Sequence, residues 1–590
     1  VKEISPSQTW RPLWPYLRPD LGWYLLALVA APAATALTVL QPQLLQRTID
    51  GHIAQGDVPG AQRLALAYLA TVLGAFALDA IYNLALTWGA TATITRLRGA
   101  VYGHALRLGM SYFDRVPSGR LLTRVTSDVE ALGETLTAGA LTIGLDVLTV
   151  SGLLVGMFFL EPRLALVLLL VAPPLAWAID AIRRQLRRLF DETRTALSEL
   201  TAYTAERLTG VQVLQLHRDE ARALAAFDAR LAPYRRAAVT SNLWDALLFA
   251  LVDGVSALCM ALMLWYGTSE ALAGVATPGL LAAFIDAIGR LFTPIREFSG
   301  KIAVIQRAGI SLRQIFGLLM HDERVPSGDR ALPSPVGDLC FDHVTFAYAG
   351  GPPVLTDLSL RVAPGEVVAL VGRTGSGKST IGRLALRLYG DWQGTIHWGG
   401  VPLEDIAEEG LRAQIAPVSQ DVQLFPGTVR DNLCLGRPLP DAVLQRAIQL
   451  AHADGCVARL GGLDAPLAAG GRELSGGEAQ LLAFARVLAH DPPMVLLDEA
   501  TAAVDTLTER AIEAATAEIL RRKTVLVVAH RLSTIARADR ILLLDGGRVL
   551  EQGTHAELMA QEGRYAALVR QSNLDDPADG LASGGGGATL

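Results

Sequence analysis

The chain has 590 residues, more than one domain on the usual scale of about 100–200 residues each. Charged residues make up only 19% against 51% hydrophobic, and the mean hydropathy of +0.33 is too high for a wholly soluble chain, so part of it is expected to cross a membrane. A net charge of −6 spread over this length excludes the basic footprint of a nucleic-acid-binding protein, and four scattered cysteines (Cys259, Cys340, Cys434, Cys456) exclude a zinc or disulfide framework.

No short apolar core with a small-residue cleavage site precedes the first long apolar segment, so the first residues are expected to stay in the mature chain. TWRPLWPYLR (9 to 18) mixes aromatic and basic residues, as an interfacial elbow does. Six apolar stretches follow, near 21–45, 62–90, 134–160, 163–182, 240–266 and 277–298, each close to or above the roughly 20 residues needed to cross a bilayer. Six crossings put both ends on one side. Arginines at 96, 98, 107, 115, 120 and 124, and again at 183, 184, 187 and 188, mark the long connections as cytoplasmic. These connections are rich in helix formers, as in LRRLFDETRTALSELTAYTAERL (186 to 208), so the membrane helices are expected to continue beyond the bilayer.

Asp79, Asp146, Asp253 and Asp286 interrupt the apolar runs, and Arg290 lies one turn after Asp286, suited to an i, i+4 pair. Two readings are open: Asp253, Asp286 and Arg290 line a polar path or a cationic-substrate site, or the acids are neutralised by arginines within the bundle. The composition then changes at HDERVPSGDRALPSPVGD, a polar, proline- and glycine-rich linker. The expected organisation is an all-α membrane domain over 1–320, a linker over 321–337, an α/β P-loop domain over 338–573 and a flexible tail over 574–590.

In the second domain, EVVALVGRTGSGKST runs from a β-branched strand into G-x-x-x-x-G-K-[ST]. Backbone amides of Gly372, Arg373, Thr374, Gly375, Ser376 and Gly377 can cradle the phosphates of ATP, with Thr380 in the first helical turn. Lys378 reaches the β/γ oxygens and Ser379 binds Mg²⁺. A later strand, PPMVLLDEA, ends in Asp498, suited to Mg²⁺, and Glu499, placed to orient or deprotonate water.

GRTGSGKST, the glutamine of APVSQDVQLF, LSGGE, MVLLDE, the TAAVD turn and the histidine of VVAHR occur in that order. Together they resemble the nucleotide-binding domain of an ATP-binding cassette (ABC) transporter, and with six preceding spans the chain resembles a half-size ABC exporter of the multidrug and lipid-export group over nearly all of residues 10–573. The resemblance implies that Tyr348 stacks on adenine, Gln420 approaches Mg²⁺ and senses the membrane domain, His530 contacts the γ-phosphate, and Asp505 lies in an inter-subunit turn. Glu499, His530 and Gln420 are the implied catalytic set.

Ser475, Gly476 and Gly477, followed by Glu478, resemble the signature motif, which completes the ATP site of the opposite subunit. The implied partner is a second ABC half-transporter chain, identical or different. Coupling helices are expected near 112–118 and 209–216, and the implied activity is ATP-driven alternating access for a hydrophobic or amphipathic drug, lipid or peptide. Glu478 stands where the family commonly has glutamine, and Ala469 where many exporters have glutamate. A soluble cassette ATPase acting on DNA or ribosomes conflicts with the six spans, whereas an ATP-gated channel or membrane-bound regulator shares the architecture.

Overall fold

A computed structural model describes residues 11–272, 277–332, 337–498, 506–529 and 531–575. Contacts divide these residues into two units. One runs to Leu106 and resumes over Ser118–His321; the other takes Arg107–Pro117 and continues from Asp322. The segment between the second and third spans is therefore grouped with the nucleotide domain.

Among the described residues of the first unit, six helical stretches are long and apolar enough to cross a membrane. They are built from α1 (Leu21–Thr48), α2 (Val58–Ala105), then, beyond the short α3 (Met110–Arg115) of the second unit, α4 (Val129–Ala138), α5 (Ala140–Leu160) and α6 (Pro162–Thr209). The short α7 (Val211–Leu216) precedes α8 (Glu220–Leu272) and α9 (Pro278–Leu319). Ala27, Ala30, Ala31 and Ala34 form a buried stripe on α1, and the first three cluster with Tyr82, Ala85 and Leu86 of α2. Small side chains allow this close approach. At Gly89 a Cβ would lie 3.3 Å from Trp23 and from the Tyr24 ring.

The third expected span is not one continuous helix. Gly139 separates α4 from α5 with φ −105° and ψ −102°, and a Cβ there would sit 2.5 Å from the Thr135 carbonyl oxygen. Only a residue without a side chain fits, so the break is written in one glycine. The extensions beyond the bilayer are long: α2 and α6 each have 48 residues and α8 has 53.

The second unit is α/β. A four-stranded sheet holds β1 (Leu339–Ala347), β2 (Pro353–Val362), β4 (Trp392–Trp398) and β5 (Val401–Pro402) in the order β2-β1-β4-β5. A six-stranded sheet holds β3 (Val367–Gly372), β6 (Ile415–Val418), β7 (Met494–Asp498), β8 (Thr524–Val528), β9 (Arg540–Asp545) and β10 (Arg548–Gly553) in the order β10-β9-β3-β8-β7-β6. Its inner pairs are parallel. Strand β3 is buried on both faces, as a central parallel strand must be. Val367, Ala369 and Val371 join one core with Leu481 and Phe484, while Val368 and Leu370 join the other with Phe341, Leu355 and Ile381. Three helices position the site: α10 (Lys378–Ala385), α11 (Asp454–Leu460) and α12 (Gly476–His490).

The polar linker is tied to this unit. Arg330 donates its amide to the Asp405 carbonyl at 2.9 Å and accepts from Ala407 at 2.8 Å.

Candidate nucleotide site

Parallel register brings the expected residues to one edge of the sheet. Leu370 of β3 pairs with Val528, Val528 with Asp498, and Leu497 with Val418. The P-loop, Asp498 and, two residues beyond β6, Gln420 therefore leave neighbouring strand ends, where ligands gather in open α/β sheets.

The loop after β3 depends on glycine at two points. At Gly372 φ is +153° and a Cβ would approach the Leu544 carbonyl oxygen to 2.2 Å; at Gly377 φ is +99° and a Cβ would meet Leu355 at 2.6 Å. Gly377 is the N-cap of α10, and no side chain caps that helix start. Its amide end is left for an anion. Lys378 is only 6% exposed, and its ammonium donates to the carbonyls of Gly372 (2.6 Å) and Arg373 (3.0 Å). Burial pushes this ammonium down and the Asp498 carboxylate pulls it up; the balance lies below the ordinary lysine value. Ser376 Oγ is buried without a hydrogen-bond partner among the described residues, the kind of orphan that a bound polar group satisfies.

A cavity of about 620 Å³ borders the P-loop. Tyr348, Thr374, Gly375, Gly377, the run Lys378–Thr380, Gln420 and Asp498 line it. Ser379 Oγ lies 3.4 Å from Asp498 Oδ2, so two hard oxygen donors sit side by side. Tyr348 is held by its hydroxyl, which lies 3.0 Å from Thr380 Oγ1 and accepts from Arg383 at 3.2 Å.

The signature residues stand at a second helix start. Ser475 caps α12: its Oγ accepts from the Glu478 amide at 3.2 Å, and the Glu478 carboxylate accepts from the Ser475 amide at 2.9 Å. This is a reciprocal capping box. The other Glu478 oxygen accepts from Arg459 of α11 at 2.7 Å. Burial raises the Glu478 carboxyl, but the Ser475 amide and the Arg459 guanidinium outweigh it and hold it below the usual range. The loop that carries Ala469 is closed by Glu473, which accepts from the Ala468 amide at 3.1 Å.

Sequence reasoning missed Arg459, whose link to Glu478 no motif signals, and Tyr389, which packs on Tyr348 with ring centroids 5.3 Å apart. Glu499, Asp505 and His530 lie outside the described residues. Short helices lie where coupling helices were expected: α3 (Met110–Arg115) starts two residues and ends three residues earlier than anticipated, and α7 (Val211–Leu216) starts two residues later and ends at the same residue.

In the membrane unit Arg290 Nε lies 2.9 Å from Asp286, Arg296 lies 3.2 Å from Asp253, and Lys301 bridges Asp146 at 2.6 Å and Glu297 at 3.2 Å. Asp146, Asp253 and Asp286 each have a basic partner, the arrangement by which a membrane bundle tolerates charge.

An apolar unit with six candidate spans among the described residues and a P-loop α/β unit with a second glycine-rich helix start define a membrane transporter driven by ATP. Family models agree: that of the ABC transporter transmembrane region matches residues 24–295 and that of the ABC transporter matches residues 355–502, and the chain belongs to the ABC transporter family. It is 33% identical over 569 residues to an ATP-dependent lipid A-core flippase of Burkholderia orbicola (strain AU 1054), covering 96% of each chain. It is 35% identical over 564 residues to a multidrug efflux ATP-binding/permease protein of Mycobacterium bovis (strain BCG / Pasteur 1173P2), covering 94% of this chain and 47% of that protein. Among solved structures it resembles a bacterial Atm1-family ABC exporter with ATP bound, with TM-score 0.74, 27% identity and coverage of 94% and 98%. The protein is a multi-pass membrane exporter whose transport is coupled to ATP hydrolysis in a cytoplasmic nucleotide-binding domain.

Proposed function

We propose that this chain is one half of a two-chain exporter in which each ATP is held by the P-loop of one subunit and the signature helix of the other. One observation carries this reading: among the described residues lining the P-loop cavity, none comes from Ser475–Glu478, while Ser475 and Gly476 are exposed at the start of α12. A glycine-rich helix start facing solvent is a phosphate site in need of a second surface.

In this reading Tyr348 stacks on adenine, and amides of Gly372–Gly377 cradle the phosphates. Lys378 exchanges its loop carbonyls for β/γ oxygens. Ser379, Gln420 and Asp498 supply the oxygen donors that suit Mg²⁺. When bound, that ion offsets the charge developing on the transferred phosphate. Glu499 takes the proton of the attacking water, and His530 contacts the γ-phosphate. Ser475 already accepts the Glu478 amide, which leaves its own proton free to donate to the partner's γ-phosphate. Closure around two ATP molecules is passed through α3 and α7 to the membrane helices, which open outward and reset after hydrolysis.

The partner is a second copy or a related half-transporter, and the cargo is a hydrophobic or amphipathic drug, lipid or peptide, in keeping with the flippase and efflux relatives. Complementation tests the shared site. Chains carrying K378A and S475A, given different tags and purified as a mixed dimer, contain one wholly intact site and are expected to recover ATPase activity that neither variant has alone. No recovery in a mixed dimer would show each site to be self-contained. Failure to form the dimer would identify the partner as another chain.

A further inference from the structure

We propose that Tyr389 is a positioning residue that passes adenine occupancy to helix α3, a route separate from the γ-phosphate and Gln420. This rests on the reading of Tyr348 as the adenine platform. Tyr389 is 4% exposed and follows α10 by four residues. Its ring stands edge-on to Tyr348 at 83° with centroids 5.3 Å apart, and Phe346 completes the group at 5.1 Å from Tyr348 and 5.4 Å from Tyr389. Its hydroxyl donates to Asp114 Oδ2 of α3 at 2.7 Å. The helix is held at a second point as well: the Gly109 amide, just before α3, donates to the Glu323 carbonyl at 2.8 Å, and Arg115 pairs with the Glu323 carboxylate. All these residues belong to one compact unit.

The geometry makes the chain of contacts mechanically continuous. Tyr348 cannot swing freely, because its hydroxyl is tied to Thr380 and Arg383 beside the P-loop. A base stacked on its open face therefore sets the tilt of the ring against Tyr389. Packed aromatic edges transmit such a tilt, since interiors have little room to absorb it. On Tyr389 the displaced atom is the hydroxyl that anchors Asp114, so α3 is the element that responds. A charge-assisted phenol–carboxylate bond is among the stronger contacts available for this.

Amide hydrogen exchange over residues 107–117, in the full-length protein in lipid nanodiscs, tests the route. ADP supplies adenine without a γ-phosphate; inorganic tripolyphosphate supplies phosphates without a base. ADP is expected to slow exchange of this segment by about threefold, a fraction of what one such hydrogen bond can contribute. Tripolyphosphate is expected to leave it unchanged. Y389F keeps the ring and loses only the hydroxyl, so the ADP response should vanish while calorimetric ADP affinity stays within about twofold of wild type. D114A, at an exposed position, should lose the response in the same way. The proposal is overturned if ADP binds without slowing exchange, if tripolyphosphate slows it equally, or if either variant keeps the wild-type response. Absence of ADP binding to the wild-type protein would instead remove the nucleotide-site reading beneath it.

Discussion

Two helix starts in the nucleotide-binding domain use the same device and finish it differently. At α10 the N-cap is Gly377, which has no side chain to offer, and the amides face a cavity lined by Lys378 and Ser379. At α12 the N-cap is Ser475, which closes a capping box with Glu478, and Arg459 neutralises the acid from outside. The first start relies on its ligand to satisfy it; the second is finished before any ligand arrives. In the proposed two-chain site, the surface that waits for a partner has to be stable alone, whereas the P-loop is completed by the nucleotide it holds. The difference explains why an acid can follow the signature glycines: its charge is spent on an amide and a guanidinium.

Substitutions can break this comparison at either end. The largest effect is expected for E499Q, which should cut steady-state ATP turnover by about 10²–10⁴-fold, the usual worth of a positioned general base. ATP affinity in a filter-binding assay should be preserved; normal turnover in the assembled dimer would remove Glu499 from that role. S475A comes next, with a loss on the order of 10²-fold, as when one donor to a developing oxyanion is deleted. Losing the cap costs about 1 kcal/mol of helix stability, too little to unfold the domain and account for such a loss. If S475A weakened ATP binding to the P-loop of its own chain instead, the two helix starts would belong to one site.

What could be read beforehand follows from how local each feature is. The P-loop, the signature and the strand-end acid Asp498 belong to contiguous strings with fixed physics, so the places of Gly372–Ser379 and Ser475–Glu478 at helix starts and of Asp498 at a strand end were legible. The Asp286–Arg290 pair was legible for the same reason, being one helical turn apart. Lys301, by contrast, finds Asp146 across 155 residues, and Arg459 finds Glu478 across 19 and from another helix. No periodicity in one segment encodes such meetings. The break at Gly139 was hidden because glycine is common in apolar helices. The segment Arg107–Pro117, grouped with the nucleotide unit, meets it through Asp114 with Tyr389, 275 residues later, and through Gly109 and Arg115 with Glu323.

R459A sharpens the comparison at smaller scale. The pair is partly exposed, with side-chain accessibilities of 52% for Arg459 and 21% for Glu478, so solvent screens it and little stability is at stake. The larger consequence is an uncompensated negative charge beside the α12 amides that the proposed two-chain site turns toward phosphate, expected to lower turnover by about three- to tenfold. E478Q should relieve that defect, since an amide preserves the capping geometry without the charge. If the double variant were no better than R459A, the guanidinium would act through packing. The pH dependence has a fixed sign. Glu478 is held below its unfolded value, so the ionised cap contributes fully above the ordinary carboxylate range and is lost as pH falls through the depressed folded value. Thermal stability should therefore drop on the acid side less steeply in E478Q than in wild type.

The smallest effect lies at Cys456 of α11, whose thiol is pushed up to about 11, first by burial and then by the Glu478 charge, with Arg459 pulling the other way. At pH 8 the thiolate fraction is on the order of 0.1%, so a maleimide should label Cys456 far more slowly than an ordinary exposed cysteine. Mass spectrometry of the peptide containing Cys456 reads this without interference from Cys340 or Cys434. R459A then separates two accounts of the arginine. Removing it takes away the one side-chain charge that lowers the thiol, so labelling slows further if α11 and α12 stay in place. If the arginine's chief role were to hold those helices together, its loss would open the site and labelling would accelerate.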